Sequence, residues 1–212
     1  MKLVLFDLDE TLIKGDSTGL WLKFCIERGL LAKQNLERID FFHKQYEEER
    51  LDMDEFMSFF LKAIKGKDEK LVNDLVDEFI QKHIEFYERA KELVKSYEGQ
   101  RRIVISATAD FLVRKIALKL GIEEIIAVKC ELVDNKFSGR ALGVHTYREG
   151  KVLRLKEYLG EDYEKWMRVS YFFSDSINDL ALLERVSKPV VCNADARLLK
   201  IAKERNYELL NF

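Results

Sequence analysis

Four consecutive apolar residues, Leu3-Val4-Leu5-Phe6, run straight into two aspartates one residue apart, Asp7 and Asp9. A short apolar run bounded in this way reads as a buried strand, and one without alternation suits a parallel strand covered on both faces. Open α/β sheets place their ligands outside the carboxyl ends of the strands, so this strand delivers both carboxylates to such an edge. Two like charges this close are costly to bury unless a cation or a partner compensates them. Oxygen-only ligands in a small site favour Mg²⁺ over a transition metal. Asp-x-Asp alone is equally an acidic turn. Phe6 before the pair and Glu10-Thr11-Leu12 after it narrow the choice.

The bulk properties exclude several classes. With 212 residues the chain holds one large domain, or a core with an inserted one. Hydrophobic residues at 47% and charged residues at 35% describe a globular protein able to bury a core. A formal net charge of -2 argues against a nucleic-acid partner, which calls for a basic domain. No apolar run approaches the ~18 residues of a transmembrane helix, and the first residues carry no signal-peptide pattern. The three cysteines, Cys25, Cys130 and Cys192, have neither metal spacing nor the even count of a disulfide framework. A reducing, cytoplasmic setting is the expectation.

The stretch between the first strand and Gln100 reads as helix throughout. Leu20, Trp21, Phe24 and Cys25 keep helical spacing up to Gly29, and Phe41, Phe42 and Tyr46 mark a second helix. Asp52–Ile64 and Asp68–Lys91 supply two more, separated by Lys65-Gly66-Lys67. From Arg102 onward, strands and helices alternate. Ile103–Ile105, Ile125–Val128, Val169–Phe173 and Pro189–Cys192 are strand-like, and residues 131–139 around Asp134-Asn135 read as a hairpin. Alternation of this kind implies right-handed crossovers and a parallel sheet. The expected architecture is a Rossmann-like, doubly wound α/β core (residues 1–14 and 91–212) with an inserted all-helical cap (residues 15–90).

Three strand ends carry polar groups of matched type. The first gives Asp7 and Asp9, the second gives Ser106 with the amide of Ala107 at a helix start, and a later one gives Asp175, Asn178 and Asp179. Lys151 opens the helix before that last strand. Carboxylates from two strand ends can share one Mg²⁺, while a hydroxyl, a helix N-terminus and a lysine are groups that hold a phosphate. Acid at a metal and base at an anion on one sheet rim is a phosphoryl-transfer arrangement. Singly, each piece has a plainer role: Ser106 as an N-cap, Lys151 as a solvated helix-start residue, Asp179 as a first-turn dipole partner.

The segments Phe6–Leu12, Ile105–Thr108, Lys151 and Ser174–Asp179 resemble the four motifs of the haloacid-dehalogenase superfamily. With a helical insert between the first two motifs, the chain looks like the phosphoserine-phosphatase-like branch, which also includes histidinol-phosphate and phosphatidylglycerol-phosphate phosphatases. The resemblance implies a phosphomonoester hydrolase in which Asp7 is the nucleophile and Asp9 the general acid and base. It implies Mg²⁺ held by Asp7, the backbone carbonyl of Asp9, Asp175 and, directly or through water, Asp179. Ser106, Ala107 and Lys151 would hold the phosphoryl group, and Thr11 and Asn178 would support the loops. The partner is then a small phosphorylated substrate, and the chain a monomer or homodimer. A phosphotransferase or mutase, a lipid-phosphate phosphatase, and a non-catalytic receiver-like module are the alternatives.

The pattern departs from phosphoserine phosphatases in two places. Asp16 stands nine residues after Asp7, where those enzymes place a glutamate for the substrate ammonium. Near Ser58, where they place an arginine for the substrate carboxylate, there is none, and a planar guanidinium is hard to replace. Phosphoserine therefore ranks below a general small phosphomonoester. His145, in the loop before Lys151, is the histidine expected nearest the substrate. The cap aromatics are expected to be mainly core, and the run Glu47-Glu48-Glu49-Arg50 solvated surface.

Overall fold

The computed structural model describes residues 1–212. The opening run is strand β1 (Leu3–Phe6), with all four side chains buried. The helices α1 (Ser17–Glu27), α2 (Leu36–Glu47), α3 (Met53–Phe60) and α4 (Glu69–His83) follow. Then come α5 (Glu88–Ser96), β2 (Arg101–Ala109), α6 (Asp110–Leu118), and a hairpin of β3 (Glu124–Val133) and β4 (Lys136–Leu142). The chain closes through α7 (Glu149–Leu159), α8 (Tyr163–Met167), β5 (Ser170–Ser174), α9 (Leu180–Leu183), β6 (Lys188–Cys192), α10 (Ala196–Glu204) and β7 (Glu208–Leu210).

These strands form one seven-stranded sheet in the order β4-β3-β2-β1-β5-β6-β7, parallel except for β4. The chain moves outward from β1 through β2 and β3, then crosses back to β5 on the other side. That reversal puts β1 at the topological switch point, where open α/β sheets have their crevice. The fold is the expected α/β one, a mostly parallel sheet with helical insertions.

Side-chain alternation explains the continuous apolar runs. Val4, Phe6, Val104, Phe173 and Val190 point to one face of the sheet, and Leu3, Leu5, Ile103, Ile105, Phe172 and Val191 to the other. Both faces are covered, so both sets are apolar. The second face packs on α7, α8, α9 and α10 through Leu155, Met167, Leu182 and Leu198. The first face packs on α5 and α6, and the same buried cluster continues without a break into α1–α4. Trp21 touches Phe24, Phe79 and Phe111, and Phe60 meets Phe111, so the cap shares aromatic contacts with α6 and, through Phe111 and Phe137, reaches β4. Most of the cap aromatics are core, as expected.

Two differences from the sequence reading have clear causes. The helix expected over Asp68–Lys91 is two helices, because Ile84 is extended and residues 85–87 pair with the outgoing chain. Lys14 N donates to the Glu85 carbonyl at 2.8 Å and Tyr87 N to that of Leu12 at 3.2 Å, with Ile13 and Phe86 opposite one another. The two crossings between core and cap thus satisfy each other's backbone. The second difference is β7, an unforeseen edge strand paired with β6. The hairpin turns at Asp134 and Asn135, whose φ of 49° and 60° suit a two-residue type I′ turn. Its tip docks on the cap, where Gly66 N donates to the Phe137 carbonyl at 2.7 Å and Phe137 N to that of Lys67 at 3.0 Å.

Candidate active site

Strands β1 and β5 lie side by side, with Phe6 opposite Phe173, and the Asp7 amide donates to the Phe173 carbonyl at 2.9 Å. This pairing brings Asp7 next to the loop of Asp175 and Asp179. Both Asp7 and Asp175 face a cavity of about 560 Å³ between the sheet edge and the cap. Asp9, Asp16, Ser106, Ala107, Thr108 and Asn178 also line it.

Beneath the cavity floor lies Lys151, 3% exposed, from the first turn of α7. Its ammonium donates to Asp7 Oδ1 at 2.6 Å and to Asp179 Oδ2 at 2.7 Å. Burial alone would push this lysine down, but Asp179 and Asp7 outweigh it and hold the group above its ordinary value. Asp179 Oδ2 also accepts from Ser174 at 2.7 Å. A buried cation and its carboxylates satisfy one another here.

Burial pushes Asp7 up to about 6, with Lys151 pulling it down and Asp179 pushing it further up. Asp175 is likewise raised well above the carboxylate range, by burial and by the charges of Asp7 and Asp179. Its Oδ1 accepts from Thr11 at 3.0 Å. Neither Asp7 Oδ2 nor Asp175 Oδ2 takes a hydrogen bond from another side chain. Two hard oxygen donors on adjacent strand ends, each destabilised by the other's charge, fit a Mg²⁺ ion. Asp179 is engaged by Lys151 and Ser174, and no third His, Cys, Asp or Glu converges on the same point.

Asp9 is held differently. The Ser17 amide, at the start of α1, donates to its Oδ1 at 2.7 Å, and the Thr108 hydroxyl donates to Oδ2 at 3.0 Å. Burial, then the charges of Asp16 and Asp7, push this carboxyl up to about 7. Asp16 lines the cavity while capping α1, accepting from the Thr18 and Gly19 amides at 2.9 and 3.0 Å. The Ser106 hydroxyl is buried and accepts from the Thr108 amide at 3.1 Å.

Asn178 joins the metal-side loop to the cap. Its Nδ2 donates to the Tyr46 carbonyl at 3.2 Å, and its Oδ1 accepts from Tyr147 at 3.0 Å. His145 does not reach the cavity wall; its Nε2 lies 2.7 Å from Asp54 Oδ1. His43 lines the cavity. So do Phe42, Tyr46 and Phe56, as well as Glu47 from the run expected to be mere surface. Ser17 and Thr108 were not foreseen. Ser17 opens α1, whereas Thr108 lies inside β2, which runs on to Ala109, so Ala107 is in the strand and not at the helix start the sequence suggested; neither Ser17 nor Thr108 carries a spacing signal.

The sequence profile of the haloacid dehalogenase-like hydrolases matches residues 4–184. The chain belongs to that family. Among its relatives, a histidinol-phosphatase of Neisseria meningitidis serogroup C is 36% identical over 220 residues, covering 99% of this chain and 98% of the other. A phosphoserine phosphatase of Mycobacterium tuberculosis is 28% identical over 222 residues, covering 98% and 70%. A crystal structure of a Bordetella pertussis protein of unknown function superposes with a TM-score of 0.88 at 29% identity, covering 99% and 97%. This haloacid dehalogenase-like protein is accordingly a phosphatase of the phosphoserine-phosphatase-like branch. The family implies a phosphorylated small-molecule substrate, and its phosphatases generally need Mg²⁺. No helix of the chain is long and apolar enough to cross a membrane.

Proposed function

We propose that this chain is a Mg²⁺-dependent phosphomonoester hydrolase that works through an aspartyl-phosphate, with histidinol phosphate as the favoured substrate. The observation that carries the chemistry is the Lys151 ammonium between Asp7 and Asp179, under a cavity that Asp9 also lines. The Asp7 carboxylate attacks phosphorus, forming a P–O bond as the ester oxygen leaves. Asp9, held protonated near neutral pH by its raised pKa of about 7, gives its proton to that oxygen. Asp9 then takes a proton from the incoming water, whose oxygen displaces Asp7 from phosphorus and releases phosphate. Lys151 and Ser106 offset the phosphoryl charge. A Mg²⁺ held by Asp7, the Asp9 carbonyl and Asp175, with Asp179 reaching it through water, would supply further charge neutralisation. The cap excludes bulk water.

Two features favour histidinol phosphate over phosphoserine. The relative at 36% identity over nearly the full length is named a histidinol-phosphatase. The cap also offers acids and no guanidinium to the cavity: Asp16 and Glu47 line it, while Arg50 points away and pairs with Glu48. Such a wall suits a substrate with an ammonium and an aromatic ring and no carboxylate. Steady-state turnover of histidinol phosphate and phosphoserine, with Mg²⁺ and with EDTA, tests the reading. Histidinol phosphate is expected to give the higher kcat/KM and EDTA to abolish turnover. Metal-independent turnover, or a preference for phosphoserine, would sink it.

A further inference from the structure

The cavity has seven carboxylate side chains in its wall and one guanidinium, that of Arg197 in the first turn of α10. A free arginine at that place would be the natural partner of a carboxylate on a substrate, because its planar fork matches two carboxylate oxygens. It is not free. Its Nη1 lies 2.6 Å from Glu49 Oε1, and its Nη2 donates to the Glu47 carbonyl. Glu49 is gripped from a second side by Arg148, whose Nη1 donates to the Glu49 carbonyl at 3.1 Å and whose Nη2 lies 3.6 Å from Oε2.

The backbone at Glu49 carries an independent mark. Its φ is 58°, just past the end of α2, where helices commonly end in glycine. A glutamate in that conformation is strained, because its Cβ crowds the following carbonyl. A half-exposed ion pair contributes little by itself. The strained conformer is kept in place by several contacts together, two guanidiniums on the side chain and carbonyl of one residue.

We infer that Glu49 is a specificity-determining residue that acts through Arg197. By occupying the one guanidinium of the wall, it denies that cation to any phosphomonoester bearing a carboxylate. The substrate class it admits is one whose remainder is cationic or neutral. This inference rests on the phosphatase reading above and goes beyond it, since it names the residue that shuts out acidic substrates.

The test compares kcat/KM for phosphoserine with kcat/KM for p-nitrophenyl phosphate, which lacks both carboxylate and amine. The variants are Glu49→Gln, Arg197→Gln and the double variant. Glu49→Gln is expected to raise the ratio by about tenfold or more, mainly through a lower KM for phosphoserine, as befits a new charged hydrogen bond. The double variant is expected to return the ratio to the wild-type value. Arg197→Gln alone is expected to leave the ratio at the wild-type value, because the guanidinium is already engaged. An unchanged ratio in Glu49→Gln overturns the inference. So does a gain that survives in the double variant, which would mean a loosened cap. A fall in the ratio with Arg197→Gln alone also overturns it, and that arm does not depend on the Glu49 variant folding. Absence of p-nitrophenyl phosphate turnover by the wild type with Mg²⁺ would instead overturn the phosphatase reading itself.

Discussion

Gly150 packs its Cα so tightly on the carbonyl of His145 that a Cβ there would stand 1.9 Å from that oxygen. The obstacle is backbone, which has little room to move. Gly150 immediately precedes Lys151, so the close approach sets where α7 begins and where the ammonium ends up. Gly150→Ala is therefore expected to lower kcat/KM for p-nitrophenyl phosphate by about 100-fold, the scale of an ångström-sized misplacement. Gly121→Ala is the comparison: φ is 67° and nothing lies within 4 Å, so it should cost about 1 kcal/mol of stability and leave kcat/KM alone. Kinetics and urea denaturation on both variants decide the point.

In the proposed mechanism Asp7→Asn removes the attacking oxygen anion while keeping the shape of the side chain. Turnover should fall by about a thousandfold or more, and no phosphorylated protein should be trapped by acid quench. Loss of less than about tenfold would assign the nucleophile elsewhere.

The pH profile should be set on its alkaline side by Asp9. In the proposed mechanism this group is protonated when it serves the leaving oxygen, and its pKa is raised from 3.8 to about 7. Above that value kcat/KM should fall about tenfold per pH unit. The Thr108 hydroxyl donates to the ionised form, so Thr108→Val removes a preference for ionisation. Its alkaline limb should move to higher pH. A limb that moves down, or stays, would mean another group is titrating.

Metal binding and acidity should compete in thermal unfolding. Burial raises Asp7 to about 6 and Asp9 to about 7, against 3.8 for a free aspartate, and Asp175 shifts the same way. Raised carboxyl values mean that the metal-free fold binds more protons than the unfolded chain between about pH 4 and 7. Stability is present below that window and is lost as pH rises through it. In EDTA, Tm should drop from pH 5 to pH 8. Saturating Mg²⁺ should restore most of the drop at pH 8 and do little at pH 5, where protons hold the ligands. A Tm at pH 8 indifferent to Mg²⁺ would argue against a cation between Asp7 and Asp175.

The residues legible in the sequence were those whose spacing reports chemistry. Asp7, Asp9 and Asp175 follow strand ends and Ser106 lies in the carboxyl-terminal half of β2, and the sheet's parallel order gathers these positions on one edge. Lys151 reaches Asp7 from a helix start fixed by the close approach of Gly150 to the His145 carbonyl. What stayed hidden depends on tertiary placement. Nothing in Glu47-Glu48-Glu49-Arg50 tells one acid from another, yet Glu47 faces the cavity, Glu48 pairs with Arg50, and Glu49 meets two arginines from the far side of the fold. The break at Ile84 was equally silent, since no glycine or proline marks it. Backbone pairing with a segment about seventy positions earlier ended that helix.

Phe42 and Phe56 wall the chamber, and through Phe60 and Phe111 they join the same buried cluster that covers one side of the sheet. A lid that doubles as foundation cannot swing wide without wetting the sheet. Breathing motions that admit metabolite and release orthophosphate must then be small and local, centred on loops rather than on the whole insert. Heat tolerance and catalytic tempo draw on the same few aromatic rings, so a variant that tightens their fit is expected to survive longer in the heat and run more slowly.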